Sequence, residues 1–305
     1  MATPIAISPA TGKPCIKISW SGLKRWEDCP QRHLRNVRRE TRPVNGRVFL
    51  AGNVVDSAER QWLNEGARPG ELVRLIPEWM DRMCDPSSEA SEYTIRWNGN
   101  ARADRAAVLE KCVLAAQRLE PILLEHVAPY QFEPEKKFEV WVGIPGLNGE
   151  RVGILLTGGI DIVVRDDEGN FRLYDLKTTE NRGYIRSTAA QAIFYDIAWG
   201  HWWGDHTQPR EFGFIAPLLS EKLIPVAVND DHRRVMMQRI IKAAHGMMRD
   251  QWSPKRDNEG CSWCEAKAWC PKFALAHAKD AFGKNRVNFA ETARRRAEAV
   301  DEPEA

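Results

Sequence analysis

The chain has 305 residues, 28% of them charged, with a formal net charge of +2. That length suits one large domain or two small ones and buries a substantial core without staples. The near-neutral balance neither demands nor excludes nucleic acid, because a basic groove can sit inside a neutral total. Met1–Lys17 holds no apolar run suited to a signal peptide. No stretch approaches the ~20 apolar residues of a membrane helix, so a soluble, cytoplasmic chain with no membrane partner is expected. Seven cysteines in that compartment read as thiols or metal ligands rather than disulfides.

Residues 1–18 read as an irregular arm. A helix starts near Ser19 or Ser21, either of which can cap it, carries Leu23 and Trp26, and ends at Cys29-Pro30. A second short helix follows over Gln31–Arg39. Arg and Lys are dense from Lys24 to Arg42, as a solvated face or a phosphate-contacting one. Leu50–Asn64 is helical, with Val54, Val55, Ala58 and Trp62 near one face, and Glu71–Met83 is a further helix. Pro86–Gly99 reads as loop. Arg102–Val127 is a long helical pattern that Pro121 is expected to kink or split.

The period then changes to two. Lys137–Val142, Arg151–Thr157, Gly159–Arg165 and Phe171–Thr178 read as strands, the second and third either separate or one bent strand. A helix follows over Ser187–Trp203, then strands at Glu211–Pro217 and Lys222–Val228. A helix over Asp230–Asp250 is expected to be capped at Asp230. A cysteine-rich loop at Gly260–Pro271 precedes a tail over 284–305.

The chemistry concentrates in the hairpin Gly158–Thr179, whose turn is Asp166-Asp167-Glu168-Gly169. Side chains alternate along a strand, so Asp175 and Lys177 emerge on one face. The turn returns Asp161 beside them. Two carboxylates offer hard oxygen ligands for Mg²⁺ or Mn²⁺. An adjacent ammonium group can position or deprotonate a water and stabilise phosphate charge. The plain alternative is an ordinary hairpin with a solvated charged end. A second constellation is Cys261-x₂-Cys264-x₅-Cys270-Pro271. A short Cys-x₂-Cys turn directs two sulfurs to one centre, and Cys29, also followed by proline, is the natural fourth ligand. Thiolates suit both zinc and iron–sulfur. Cys15, Cys84 and Cys112 lack partner spacing and read as incidental thiols.

Together these constellations resemble the RecB-like branch of the PD-(D/E)XK nuclease superfamily, and more closely its iron–sulfur exonucleases of the AddB and CRISPR-adaptation types. The resemblance runs in order through Ser19-x-Ser21 with Cys29-Pro30, Gly52-Asn-Val-Val-Asp56, Glu135, Gly159-Ile-Asp161, Asp175-Leu-Lys177-Thr178, Gln191-x₃-Tyr195 and the cysteine ending. Asp56 stands where the family usually has histidine. An aspartate there makes the site all-oxygen and tilts it toward Mg²⁺, unless it does not ligate.

The resemblance implies an α/β fold: a restriction-endonuclease-like mixed sheet flanked by helices, with a helical N-terminal region and a C-terminal cysteine cluster. It implies one nuclease domain over 19–283, divided into a cluster-cysteine segment (19–45), a helical region (50–130), the core (131–250) and an iron–sulfur segment (251–283). It implies hydrolysis of DNA, single-stranded or at an end, in recombination, repair or processing. Asp161, Asp175 and the Leu176 carbonyl would hold Mg²⁺ or Mn²⁺ with Asp56, while Lys177 orients water. Gln191 and Tyr195, one helical turn apart, would steer Lys177 or phosphate, and Glu135 precedes the core. Cys29, Cys261, Cys264 and Cys270 would bind one [4Fe–4S] cluster, shielded by Trp263 and Trp269. Trp199, Trp202 and Trp203 are core residues or base-stacking surfaces. No Gly-x₄-Gly-Lys-Ser/Thr loop is present, so unwinding would fall to a helicase or recombination partner. A non-catalytic DNA-binding or partner-recruiting module is the alternative.

Overall fold

A computed structural model describes residues 5–7, 14–37, 44–85, 87–88, 94–97, 99–203 and 210–255, with 261, 264, 266 and 270. Trp263, Trp269, Pro271 and the 284–305 tail lie outside the described residues. The chain divides into two compact units: the larger holds Ile5–Trp20 and Pro43–His245, and the smaller includes Ser21–Arg42 and the chain from Gly246 onward.

The larger unit is built on a mixed sheet. Its described strands are β1 (Ile5–Ile7), β2 (Pro14–Ser19), β5 (Gln131–Pro145), β6 (Arg151–Arg165), β7 (Phe171–Leu176), β8 (Arg210–Ile215) and β9 (Ile224–Val226). Two further short strands, β3 (Val44–Gly46) and β4 (Thr94–Arg96), form a parallel pair apart from it. β6 is the central strand and runs unbroken through both halves that its sequence pattern left ambiguous. One edge pairs with β5 along nearly its whole length. The other edge is shared. β2 pairs in parallel from Ile154 to Thr157, and β7 pairs antiparallel from Ile162 to Arg165. β8 then joins β7 in parallel, and β9 joins β8 antiparallel.

The helices of this unit include α3 (Arg47–Asn64), α4 (Glu71–Cys84), α5 (Ala101–His126), α6 (Arg182–Trp203) and most of α7 (Asp230–Met248). α1 (Trp20–Asp28) and α2 (Pro30–Val37) flank Cys29. Val54, Ala58, Trp62, Leu72, Ile76, Leu119 and Leu123 of α3–α5 pack with Ile162, Tyr174, Leu176 and Ile215 of the sheet. β7 and β8 residues of the opposite parity serve α6: Phe214 packs with Ile185. This two-layer burial matches the period-two and helical patterns of the sequence. The result is the mixed α/β, restriction-endonuclease-like core that the resemblance implies.

Some expectations change. Within residues 1–18, expected to be an irregular arm, 5–7 form β1 and 14–18 form most of β2, because Ile16 and Ile18 are buried against β6. Residues 94–96, read as loop, form β4. α5 continues through Pro121 as one helix. Its buried stripe from Val108 to Leu123 fixes it against α3 and α4 despite the missing amide. α7 takes its cap from Asn229, whose Oδ1 accepts from His232 N at 2.9 Å, rather than from Asp230. The Asp166–Gly169 turn forms as expected: Asp166 Oδ1 accepts from Glu168 N and Asn170 N, and Gly169 supplies φ +85°.

One buried ion cluster ties three elements of this unit together. Asp196 on α6 is fully buried and accepts from Arg210 Nε at 2.5 Å and Arg233 Nε at 2.5 Å. Arg210 opens β8 and Arg233 lies in the first turn of α7. Asp196→Ala leaves a buried guanidinium uncompensated, so chemical denaturation should show a loss of about 3–5 kcal/mol. A loss under about 1 kcal/mol would mean that the two arginines are held independently of Asp196.

Candidate active site

The site begins where β6 changes partners. Gly158–Asp161 occupies the stretch between the last β2 pair, at Thr157, and the first β7 pair, at Ile162. One register step beyond Ile162–Tyr174 brings Asp161 opposite Asp175, and there the ladder opens. The side chain takes over the backbone's role: Asp161 Oδ2 accepts from Leu176 N at 2.7 Å. β7 meanwhile continues on β8, with Lys177 N donating to Ile215 O at 2.9 Å. The strands part at the acidic pair, which aims both carboxylates at one opening.

Lys177 Nζ forms an ion pair with Asp175 Oδ2 and lies 3.4 Å from the Leu176 carbonyl. From α6, Gln191 Nε2 donates to Asp175 Oδ1 at 2.8 Å and to Tyr195 Oη at 2.7 Å. The one-turn spacing of Gln191 and Tyr195 therefore works as a relay that holds Asp175, not Lys177. Phe138 packs edge-on to Tyr195 at 5.8 Å. Gly158 is required for that: a Cβ there would fall 2.7 Å from the Phe138 ring.

α3 brings a third group of side chains. At Gly52 a Cβ would stand 3.3 Å from Thr178 Oγ1, so glycine permits close approach to the residue after Lys177. One turn on, Asp56 Oδ2 accepts from Arg60 Nη2 at 2.5 Å, and Arg60 Nη1 also pairs with Glu135. Glu135 has φ +52°, a left-handed conformation that is uncommon outside glycine. Its β5 neighbours Pro134 and Lys136 stay paired with Ile162 and Ile160, so Glu135 is turned out of the ladder opposite Asp161. Backbone strain of this kind needs surrounding structure to maintain it, and the Arg60 bridge supplies that.

Every catalytic or divalent-metal residue expected from sequence thus falls in the larger unit, around the β6–β7 opening. Two participants were not legible in advance. Arg60 links Asp56 to Glu135. Glu59 is 1% exposed, and its Oε1 has no hydrogen-bond partner. The available signal was its position, one residue after Ala58 on the apolar side of an amphipathic helix.

The electrostatics follow from burial and crowding. Desolvation raises the Asp161 carboxyl well above the usual range; Asp175 and Asp56 add to the rise, and Lys177 and the Leu176 amide oppose it. Burial likewise raises Asp175 against the pull of Lys177. Burial raises Asp56 and Glu135 adds to it, against Arg60. Burial alone would lower the Lys177 ammonium, but Asp175 and Asp161 reverse this and hold it above the ordinary lysine value. Lys177 therefore stays protonated and acts as donor and counter-charge. Tyr195 is raised well above its usual value by burial and the same aspartates, so it stays a neutral phenol.

The donor chemistry suits a hard divalent cation: oxygen ligands only, partly desolvated, with more carboxylate than cationic charge. Among the described residues, no three His, Cys, Asp or Glu side chains are gathered as they stand into an ion-holding group. Lys177, Arg60 and, at Glu135, Lys137 are the present counter-charges of the acidic residues. The same statement covers the four cysteines proposed for a cluster. Cys29, Cys261, Cys264 and Cys270 form no disulfide, all lie within the smaller unit, and Cys264 N donates to Cys261 O at 3.3 Å. Cys15 and Cys112 are buried thiols, and burial pushes Cys112 up to about 12. The tryptophans of α6 divide. Trp199 is buried against Phe171, whereas Trp202 is 40% exposed with the Lys136 ammonium 5.2 Å above its ring.

The family model of the PD-(D/E)XK nuclease superfamily matches residues 17–271. The chain belongs to that superfamily. Membership carries metal-dependent nuclease chemistry, with Mg²⁺ or Mn²⁺ as the cation and DNA as the substrate class. The comparison with curated proteins gives no match. A solved structure titled "Crystal structure of SSO0001" aligns over 86% of this chain and 89% of that chain, at 16% identity and a TM-score of 0.40. The family assignment rests on the family model. No helix among the described residues is long and apolar enough to cross a membrane.

The raised carboxyl groups make stability depend on pH in a definite direction. They bind protons more readily in the folded chain than in the unfolded one. Their contribution is full below the ordinary carboxylate range and is lost as pH rises through the raised folded values. With divalent ions chelated at about pH 8, Asp161→Asn should be more stable than the parent by about 1–3 kcal/mol. The gap should close as pH falls toward about 4 and Asp161 protonates. A less stable variant at alkaline pH would mean that the Leu176 hydrogen bond outweighs the desolvation.

Proposed function

We propose that the chain is a metal-dependent DNA exonuclease. The observation that carries the reading is the acidic pair Asp161 and Asp175 across the opened β6–β7 ladder, with the Lys177 ammonium on Asp175. In this reading Asp161, Asp175 and the Leu176 carbonyl hold Mg²⁺ or Mn²⁺, and Asp56 joins them from α3. When bound, the divalent cation supplies Lewis-acid stabilisation of the charge that builds on the phosphate. Lys177 holds its proton on Nζ and orients the attacking water against the phosphate oxygens. Gln191 and Tyr195 keep Asp175 in the rotamer that faces the opening, and Arg60 with Glu135 anchors Asp56. The substrate proposed is a single strand or an end, delivered in recombination, repair or processing by a helicase-type partner.

The same proposal treats residues 19–283 as one nuclease domain and assigns Cys29, Cys261, Cys264 and Cys270 to a structural [4Fe–4S] cluster. The ligand count and the Cys-Pro context at both ends of the chain support it. So does the presence of all four cysteines in the smaller unit. Metal affinity is coupled to folding, so Cys29→Ala should lose both brown colour and soluble yield after anaerobic purification. Full iron content in that variant would remove Cys29 from the ligand set.

Digestion of end-labelled single- and double-stranded DNA with each divalent metal tests the activity itself. Lys177→Ala leaves every carboxylate in place and should fold, bind DNA and cleave about 10²–10⁴-fold more slowly. Near-normal cleavage by that folded variant would falsify the assignment of this opening as the active site. An inert parent with every metal and end would favour a binding module on the same fold.

A further inference from the structure

We infer that Glu59 is an additional carboxylate ligand of the divalent-cation site, contributed by α3 beside Asp56. The inference rests on the metal-dependent reading above and names a residue that the sequence comparison did not supply. Asp56 and Glu59 are three residues apart on one helix, which places them on neighbouring positions of one face. Val55 and Ala58, which lie beside Glu59 on the side of the helix away from Asp56, are completely buried. An acidic side chain at such a position loses its hydration on folding and is retained only with compensation.

Compensation is missing from the protein's own groups. Glu59 is 1% exposed, and Oε1 meets no donor. Arg60 follows it in sequence, but its guanidinium is engaged by Asp56 through Nη2 and by Glu135 through Nη1. Lys177 is engaged by Asp175. The groups that act most strongly on Glu59 after desolvation are the carboxylates of Asp56 and Asp161, which are repulsive; Arg60 opposes them only partly. Asp56 and Glu135 are ion-paired with Arg60, Glu135 also with Lys137, and Asp175 with Lys177, whereas Glu59 has no ion pair among the described residues. A positive charge of hard, oxygen-seeking character is what this set lacks. A structural carboxylate would have acquired a donor, and an apolar residue would serve the packing better.

A ligand and a packing residue respond oppositely to removal of the charge. Glu59→Gln keeps the shape. In the full-length protein freed of divalent ions, it should melt at a higher temperature than the parent, because the unpartnered charge is gone. Its affinity for Mn²⁺ alone, read by electron paramagnetic resonance or calorimetry, should fall about tenfold or more. Glu59→Asp keeps the charge but shortens the reach. It should fold and bind Mn²⁺ more weakly than the parent, which secures the test if the glutamine variant is insoluble. Parent-like Mn²⁺ affinity in either folded variant overturns the inference, as does a lower melting temperature for Glu59→Gln with binding intact. Asp161→Asn separates this from the broader reading. If the parent binds no Mn²⁺, or binds it independently of Asp161, the metal reading fails and the role of Glu59 fails with it. If binding depends on Asp161 but not on Glu59, only the present inference fails.

Discussion

The hydrogen bond from Leu176 N to Asp161 Oδ2 is the contact on which the site depends. An antiparallel ladder normally satisfies that amide with a backbone carbonyl. Here a side chain replaces it, so β7 can leave β6 without leaving a buried amide unpaired. The departure frees the end of β7 for Asp175 and Lys177 while β8 still supports it from the other side. β2 ends its pairing with β6 at Thr157, on the same edge. The candidate site lies in the gap between two partners of one strand, where main-chain hydrogen bonding is already arranged to stop.

Charge balance is the second organising constraint. Asp175 is buried and Asp161 and Asp56 are partly so, and desolvation raises the pKa of each. Lys177 and Arg60 relieve part of that repulsion, each in a different way. Lys177 sits on the chemical pair itself, whereas Arg60 anchors Asp56 and holds Glu135 in its left-handed turn. Such a site is costly in the free protein and responsive to added positive charge. That combination favours binding of a divalent cation and a phosphate over passive packing.

Local pattern made much of this visible in the amino-acid sequence. Asp175 and Lys177 share a strand face, Asp161 returns across a four-residue turn, and Gln191 and Tyr195 are one helical turn apart. Each is a short-range relation that periodicity reveals. Less visible features depend on distant partners. β2 is a strand because β6 pairs with it from far along the chain. Arg60 reaches Glu135 across 75 positions, and only the folded structure shows that one guanidinium serves both Asp56 and Glu135. The left-handed turn at Glu135 has no composition cue, since glycine or asparagine would be the usual residue there. Glu59 was hidden for the opposite reason: it lies in a run that reads as an ordinary amphipathic helix. The Cys261-x₂-Cys264 turn was legible from spacing alone, whereas a ligand role for Cys29 is a long-range relation that spacing cannot establish.

The central claim is that the opened end of the β6–β7 ladder is a divalent-cation site. Anomalous diffraction from crystals soaked in Mn²⁺ tests it most directly. The account predicts a manganese peak within coordination distance of Asp161 and Asp175, with Lys177 Nζ displaced from Asp175 Oδ2. An unchanged Lys177–Asp175 ion pair, with manganese bound only elsewhere on the chain, would contradict it.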